Sequence, residues 1–331
     1  MHKINFPIIL AIVLYLLIYF LRWQQGGWDI KPNLLIEERQ ALDQISQKLL
    51  PSPQAELLSG IVLGQKKELP PELRLALRDT STLHIVVVSG QNLTLLAGLI
   101  LRLSGLLSVR VAIGLTVLVI AGYTMLTGAE LPVLRAAAMA GLSYLAQLTG
   151  RLADGFRVLL MTAGAFLLVN PSWITDLSFQ LSFLATFGVI VVAPMLSQRL
   201  NSWPVFLREN LTVTLSAQLM VTPIIAANFH QISLVGLAAN LFVLWTTSYI
   251  MILGMITLLV GVLIPFIAQI LAIGLNILLT YFIYVVRFFS ILPFAWEYVG
   301  EQVWVVWVGY YLVVGGILFG IQKFEARNPK S

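Results

Sequence analysis

Apolar residues run along this chain in blocks of about 20, the length a helix needs to cross a bilayer. The first block is Phe6–Trp23. Later blocks cover about 83–101, 107–126, 131–149, 156–170, 175–196, 210–228, 234–264, 267–289 and 303–321. The 156–170 block is short. The 234–264 block has room for one span plus a broken or re-entrant half-helix. The first block ends in Arg22 and Trp23, with no small-residue cleavage site before Gln24, so residues 1–23 read as an uncleaved membrane anchor.

Residues 24–82 are the one extended polar stretch, with seven Lys/Arg and eight Asp/Glu. Leu35, Leu42, Ile45 and Leu49 recur at helical spacing, which predicts an amphipathic helix over 34–50 that Pro51 and Pro53 end. Residues 24–57 form an external amphipathic segment on this reading. A second short helix begins at Pro70-Pro71, and Arg74 and Arg78 share its face. Leu57–Leu63 is apolar but too short to span, and reads as a dip into the interface.

Composition agrees with the pattern. Hydrophobic residues are 59% and charged residues 11%, with a mean hydropathy of +0.90. Soluble chains hold about 45–50% and about 25% respectively. The expectation is an all-α, polytopic integral membrane helical bundle with about 9–11 transmembrane segments. A soluble enzyme, a nuclear protein and a secreted disulfide scaffold are excluded. With no cysteine, thiol catalysis and thiolate metal sites are excluded too. Charge then orients the chain. Arg102, Arg110, Arg151, Arg157, Arg199, Arg208 and the tail Lys323, Arg327 and Lys330 fall in alternate turns. The intervening turns hold Glu130, Asp176, His230, Glu297 and Glu301. The positive-inside rule puts the basic set in the cytoplasm, with residues 24–82 outside, provided 234–264 crosses once.

Several polar groups interrupt the apolar blocks. Ser89-Gly90-Gln91-Asn92 breaks a span, and unsatisfied polar groups are costly in hydrocarbon. It reads either as a kink packed against neighbouring helices or as an irregular segment lining a path. Arg135 lies one turn inside its span, so it faces the bundle interior or snorkels to the headgroups. Asp176 is its expected partner, with Glu130 second. Gln180, Gln218, Asn228 and Asn240 are single amides suited to interhelical hydrogen bonds. Ala136, Ala137, Ala140 and Gly141 make a small-residue face, and Gly316/Gly320 a GxxxG pair, both predicting close helix packing. Gly60–Lys66 lacks the spacing of a phosphate loop, and His2, His84 and His230 are scattered. No nucleophile–base motif, cofactor motif or metal-ligand pattern is present, so the reading is of a protein that is not an enzyme.

In order and spacing, these motifs resemble the competence DNA-uptake channel family (ComEC type). The resemblance covers about 58–290 and opens on Leu58-Ser59-Gly60-Ile61-Val62-Leu63-Gly64, Leu69-Pro70 and Glu72-Leu73-Arg74. His84 through Asn92 is similar to the family's H-x4-SGxH signature, and Thr127-Gly128 with Arg135-Ala136 and Met139 to its TG…RAxxM. Asn170-Pro171, Asp176 and Phe179–Thr186 are similar to its P…D-x-x-F-Q-L-S-F-x-A-T. Gln218, Pro223 and Asn240 fall where later polar positions stand. Asn92 departs from the family's His.

The resemblance implies an inner-membrane, multi-pass channel domain over 58–321, followed by a cytoplasmic tail at 322–331. Its function would be the passage of single-stranded DNA during natural transformation. Ser89, Gly90, Gln91, Asn92, Arg135, Asp176, Gln180 and Asn240 are the candidate channel or structural positions. Lys66, Lys67, Arg74 and Arg78 are the candidate external phosphate contacts, alternatively a solvated face balanced by Glu68, Glu72 and Asp79. OB-like and nuclease domains of longer members have no counterpart here, so the expected partners are membrane lipid, single-stranded DNA, a separate nuclease, a DNA receptor and a cytoplasmic motor. Homo-oligomerisation is left open. No cofactor is implied. A transporter or flippase for a small polar solute or lipid is the alternative.

Overall fold

The computed structural model describes residues 6–28, 35–65, 69–86, 90–102, 108–148 and 154–327. Among these, the chain forms α1 (Phe6–Gln25), α2 (Ile36–Leu49), α3 (Gln54–Leu63), α4 (Pro71–Asp79), α5 (Gly90–Arg102), α6 (Val109–Leu126) and α7 (Leu131–Leu148). There follow α8 (Gly155–Val169), α9 (Leu177–Phe187), α10 (Ala193–Arg199), α11 (Val205–Phe229), α12 (Gly236–Leu263), α13 (Pro265–Ser290) and α14 (Trp304–Arg327). The architecture is an all-α membrane bundle. A π-helical turn at Gly188–Val192 joins α9 to α10, so Leu177–Arg199 is one continuous 23-residue helix. It, α11, α12 and α13 are long and apolar enough to cross a bilayer, and shorter apolar helices accompany them.

The outside of this bundle is apolar. Leu16, Phe20, Ile273, Ile277, Leu312 and Phe319 are all more than half exposed. Soluble monomers rarely expose large contiguous apolar patches, whereas lipid tails receive such a surface at no cost. α1 lies along α8. Tyr15 donates to the Gly164 carbonyl, and the Arg22 guanidinium donates to the Leu168 and Val169 carbonyls at 3.1 and 2.9 Å. Arg22 therefore caps the carboxyl end of α8, where a cation complements the helix dipole.

The core is organised around α3. Leu57, Leu58, Ile61 and Leu63 are completely buried, surrounded by α2, α4, α5, α6, α12 and α13. This corrects the interfacial reading of Leu57–Leu63: the segment is interior. A ten-residue helix cannot span, but it can be enclosed by helices that do. Gly254 of α12 allows the close approach, because a Cβ there would stand 2.5 Å from Leu58. The amphipathic α2 packs against α3 through polar groups. The buried Asp43 carboxylate accepts from the Ser59 hydroxyl and from Gln47 at 2.9 Å, and Ser46 donates to the Ala55 carbonyl.

Other boundaries differ from the sequence pattern. The 83–101 block is not one helix. Leu83–Ile85 is a 3-10 turn, and α5 is described over Gly90–Arg102. The 234–264 block holds a single unbroken helix of 28 residues. A two-stranded antiparallel ladder pairs Gln231–Ser233 with Trp296–Tyr298, closing the loop before α12 onto the loop after α13. Three-residue strands carry no alternation long enough to read. A Cβ at Gly316 or Gly320 would meet nothing within 4 Å, so the packing expected at that GxxxG pair is not found among the described residues.

Candidate functional site

A helix that ends inside a protein leaves its last four carbonyls to be satisfied. At the end of α3, Gly64 adopts the left-handed conformation with φ of 75°, and its N–H donates to the Gly60 carbonyl. Gln65 N–H donates to the Ser59 carbonyl. The next two carbonyls are served from other helices. Asn92 of α5 donates to the Ile61 carbonyl at 3.0 Å, and the Tyr123 hydroxyl of α6 donates to the Val62 carbonyl at 2.9 Å. Asn92 is 1% exposed, so its amide faces protein. The sequence pattern does not mark Tyr123, although a phenol within an apolar span needs a partner.

Arg135 projects from the second turn of α7 and is 9% exposed. Its partner is not Asp176. Nη1 donates to the Ser182 carbonyl of α9 at 2.7 Å, a carbonyl that also accepts the Thr186 hydroxyl. The guanidinium carbon lies 5.9 Å from the Phe183 ring centroid, within cation–π range. Asp176 instead caps α9, accepting from Phe179 N–H at 2.9 Å. Ser182 lies six positions further on, about 9 Å along the helix. Gln180 closes the same turn by donating to the Ile174 carbonyl. The acid and the amide thus build the start of α9, and the carbonyl of its second turn holds the arginine.

Gly90 of α5 lies next to Arg135. A Cβ at residue 90 would stand 3.1 Å from both Arg135 Nη2 and the Ala136 Cβ. Ala136, Ala137 and Ala140 pack against the core, so the small-residue face of α7 brings α5 close enough for this contact. Asn240 sits on the second turn of α12, 3% exposed, with its Oδ1 unpartnered among the described residues. At the start of the same helix, Gly236 approaches Ser81, Gln218 and Ser233. The structure thus places Gly90 and Arg135 together, and leaves Asn240 on a separate helix.

Arg74 and Arg78 lie on the exposed face of α4, while Leu73, Ala76 and Leu77 are buried. Arg78 pairs with Asp79 at 3.1 Å, which offsets its charge. Ser89, Lys66, Lys67, Glu68 and the Gln91 side chain lie outside the described residues.

The family described as competence protein matches residues 61–324, from α3 to the last turns of α14. ComE operon protein 3 of Bacillus subtilis is 26% identical over 205 residues, covering 61% of this chain and 26% of that protein. An uncharacterized protein, YcaI, of Escherichia coli is 27% identical over 233 residues, covering 67% of this chain and 31% of that protein. This chain therefore spans less than a third of either relative's length. No solved structure matches. With four bilayer-length helices, a family match over most of its length and the interior polar contacts described, the chain is a multi-pass membrane member of the competence protein family.

Proposed function

We propose that this chain forms the membrane path for single-stranded DNA during natural transformation, in the inner membrane. The observation that carries the reading is the extent of the family match: residues 61–324 are the helix bundle itself. A polyanion does not cross hydrocarbon unaided, so DNA uptake requires protein that replaces water around the phosphates. A bundle with an interior arginine held by a carbonyl rather than by an acid suits that requirement. The chemistry asked of it is conduction, not catalysis. A DNA receptor, a separate nuclease and a cytoplasmic motor are the proposed partners.

A strain lacking this chain should lose uptake of labelled DNA into the cytoplasm while still binding DNA at its surface. Normal uptake in that strain would reject the reading. Unchanged DNA uptake with altered lipid or solute distribution would favour a flippase or transporter.

The proposed orientation has its own test. Charge alternation places residues 24–82 outside and both termini in the cytoplasm. Gln44 is exposed on α2, so a cysteine there should react with an impermeant thiol reagent in intact cells. A cysteine at Lys330 should react only after permeabilisation. Labelling of position 330 in intact cells would reverse the orientation.

A further inference from the structure

We infer that the groove between α2, α6 and α12 binds one anionic phospholipid, with a tail in the groove and the headgroup at Arg39. The inference needs residence in a membrane and does not rest on the DNA-path reading. Leu35 and Leu42 of α2, Val119 and Leu126 of α6, and Met255 and Leu259 of α12 wall a groove of about 240 Å³. Its floor is the end of α3, at Val62 and Leu63. Leu259 is 55% exposed, so the groove opens on the apolar exterior of the bundle. An apolar cavity of about 150 Å³ already excludes water and takes up benzene. This larger groove, facing lipid, is therefore a place for hydrocarbon. Gly122 lines it too, on the same face of α6 as Val119 and Leu126. A Cβ at residue 122 would meet nothing within 4 Å, so the glycine leaves the groove open.

Charge at one end of the groove sets the chemistry of the occupant. Arg39 stands between Leu35 and Leu42 on α2, at the spacing that puts all three on one face. Its Nη1 lies 2.9 Å from the Cβ position of Gly128, just past Leu126 in the chain. The guanidinium is thus at the end of the groove where α6 stops. Among the described residues Arg39 makes no side-chain hydrogen bond or ion pair. The acid one turn along α2, Asp43, is buried and engaged by Ser59 and Gln47. Glu37 and Glu38 are exposed on other faces of the helix. A half-buried cation at the end of an apolar groove matches the two halves of a phospholipid in order. The guanidinium takes phosphate oxygens and the groove takes a tail. A tail moving from bulk lipid into the groove meets equally apolar surroundings, so the headgroup supplies the selectivity. One basic residue beside an anionic lipid favours it about fivefold.

The test uses the full chain in phosphatidylcholine vesicles carrying a phosphatidylglycerol probe with a photoreactive diazirine in one tail. Cross-linked peptides are mapped by mass spectrometry. Wild type should label within 119–126 and 255–259. Unlabelled phosphatidylglycerol should compete about fivefold better there than phosphatidylcholine. Arg39→Gln should remove that preference, and Arg39→Lys, which keeps the charge, should retain it. Gly122→Leu should abolish labelling in the groove while labelling at the outward-facing Ile273 and Leu312 persists. Leucine at residue 122 enters open space and improves helix propensity, so thermal unfolding should not fall below wild type. Leu259→Trp fills the groove from the opposite wall and should act alike. Labelling spread evenly over the apolar exterior would overturn the inference. So would groove labelling unchanged in both filled variants. Equal competition by the two lipids in wild type, or a preference retained in Arg39→Gln, would overturn the headgroup assignment and the inference with it. Displacement of the probe by oleic acid but not by phosphatidylglycerol would make a fatty acid the occupant and reject the phospholipid. These outcomes are independent of the deletion strain, which tests the DNA-path reading alone.

Discussion

Gly188→Ala should destabilise the protein by on the order of 3 kcal/mol, the upper range for overpacking a close helix contact. A Cβ at residue 188 would stand 2.3 Å from the Ser216 carbonyl oxygen and 2.9 Å from Met220 Cγ. The nearest obstacle is backbone, so no rotamer change relieves it. α11 and the helix running through α9 and α10 would have to separate at the π-helical turn, where Ser216 is completely buried. The residue is helical with φ of −54°, so the objection is to volume and not to conformation. Gly114→Ala in α6 is the matched control. Nothing lies within 4 Å of its Cβ position, so helix propensity alone should apply. That is a gain of up to about 1 kcal/mol. Denaturant unfolding in mixed micelles would compare the two. Equal stability of both variants would show that the α9–α11 contact is not close.

Removing the side chains that close α3 should have the next largest effect. Tyr123→Phe deletes the donor to the Val62 carbonyl, and Asn92→Leu the donor to the Ile61 carbonyl. Each leaves a buried acceptor unsatisfied, a cost of about 1–3 kcal/mol. Water cannot replace the donors, because Asn92 is 1% and Tyr123 5% exposed. Thr116→Val removes a buried hydroxyl that bonds within its own helix, to the Ala112 carbonyl, and should cost much less. The double variant measures coupling between adjacent carbonyls of one helix end. If Tyr123→Phe unfolds like wild type, α3 ends without needing α6.

Helix starts and stops near charged and proline-marked segments are legible in the sequence. The 34–50 periodicity corresponds to Ile36–Leu49, ended before Pro51, and Pro71 opens α4 with Leu73, Ala76 and Leu77 buried on one side. There, water sits on one face and protein on the other, so the polar pattern states which side is which. Motif content is legible as well, and the family match over 61–324 agrees with the resemblance carried by Thr127-Gly128, Arg135 and Phe179–Thr186.

Residence in a membrane, helical structure and polar groups at a few fixed points among apolar spans all follow from the order of residues alone. What those groups touch depends on how the helices pack. Leu57–Leu63 and Leu312–Phe319 are both apolar, yet the first is enclosed by neighbouring helices and the second faces outward. No hydropathy pattern separates them, because lipid tails and a protein interior are equally apolar. For the same reason Arg135 carries the signature of an interior cation but not the name of its partner. A guanidinium donates to a carbonyl or to a carboxylate with the same geometry. Which one it meets is set by how far down α9 the start of α7 packs, and that depth places Ser182, not Asp176, against it.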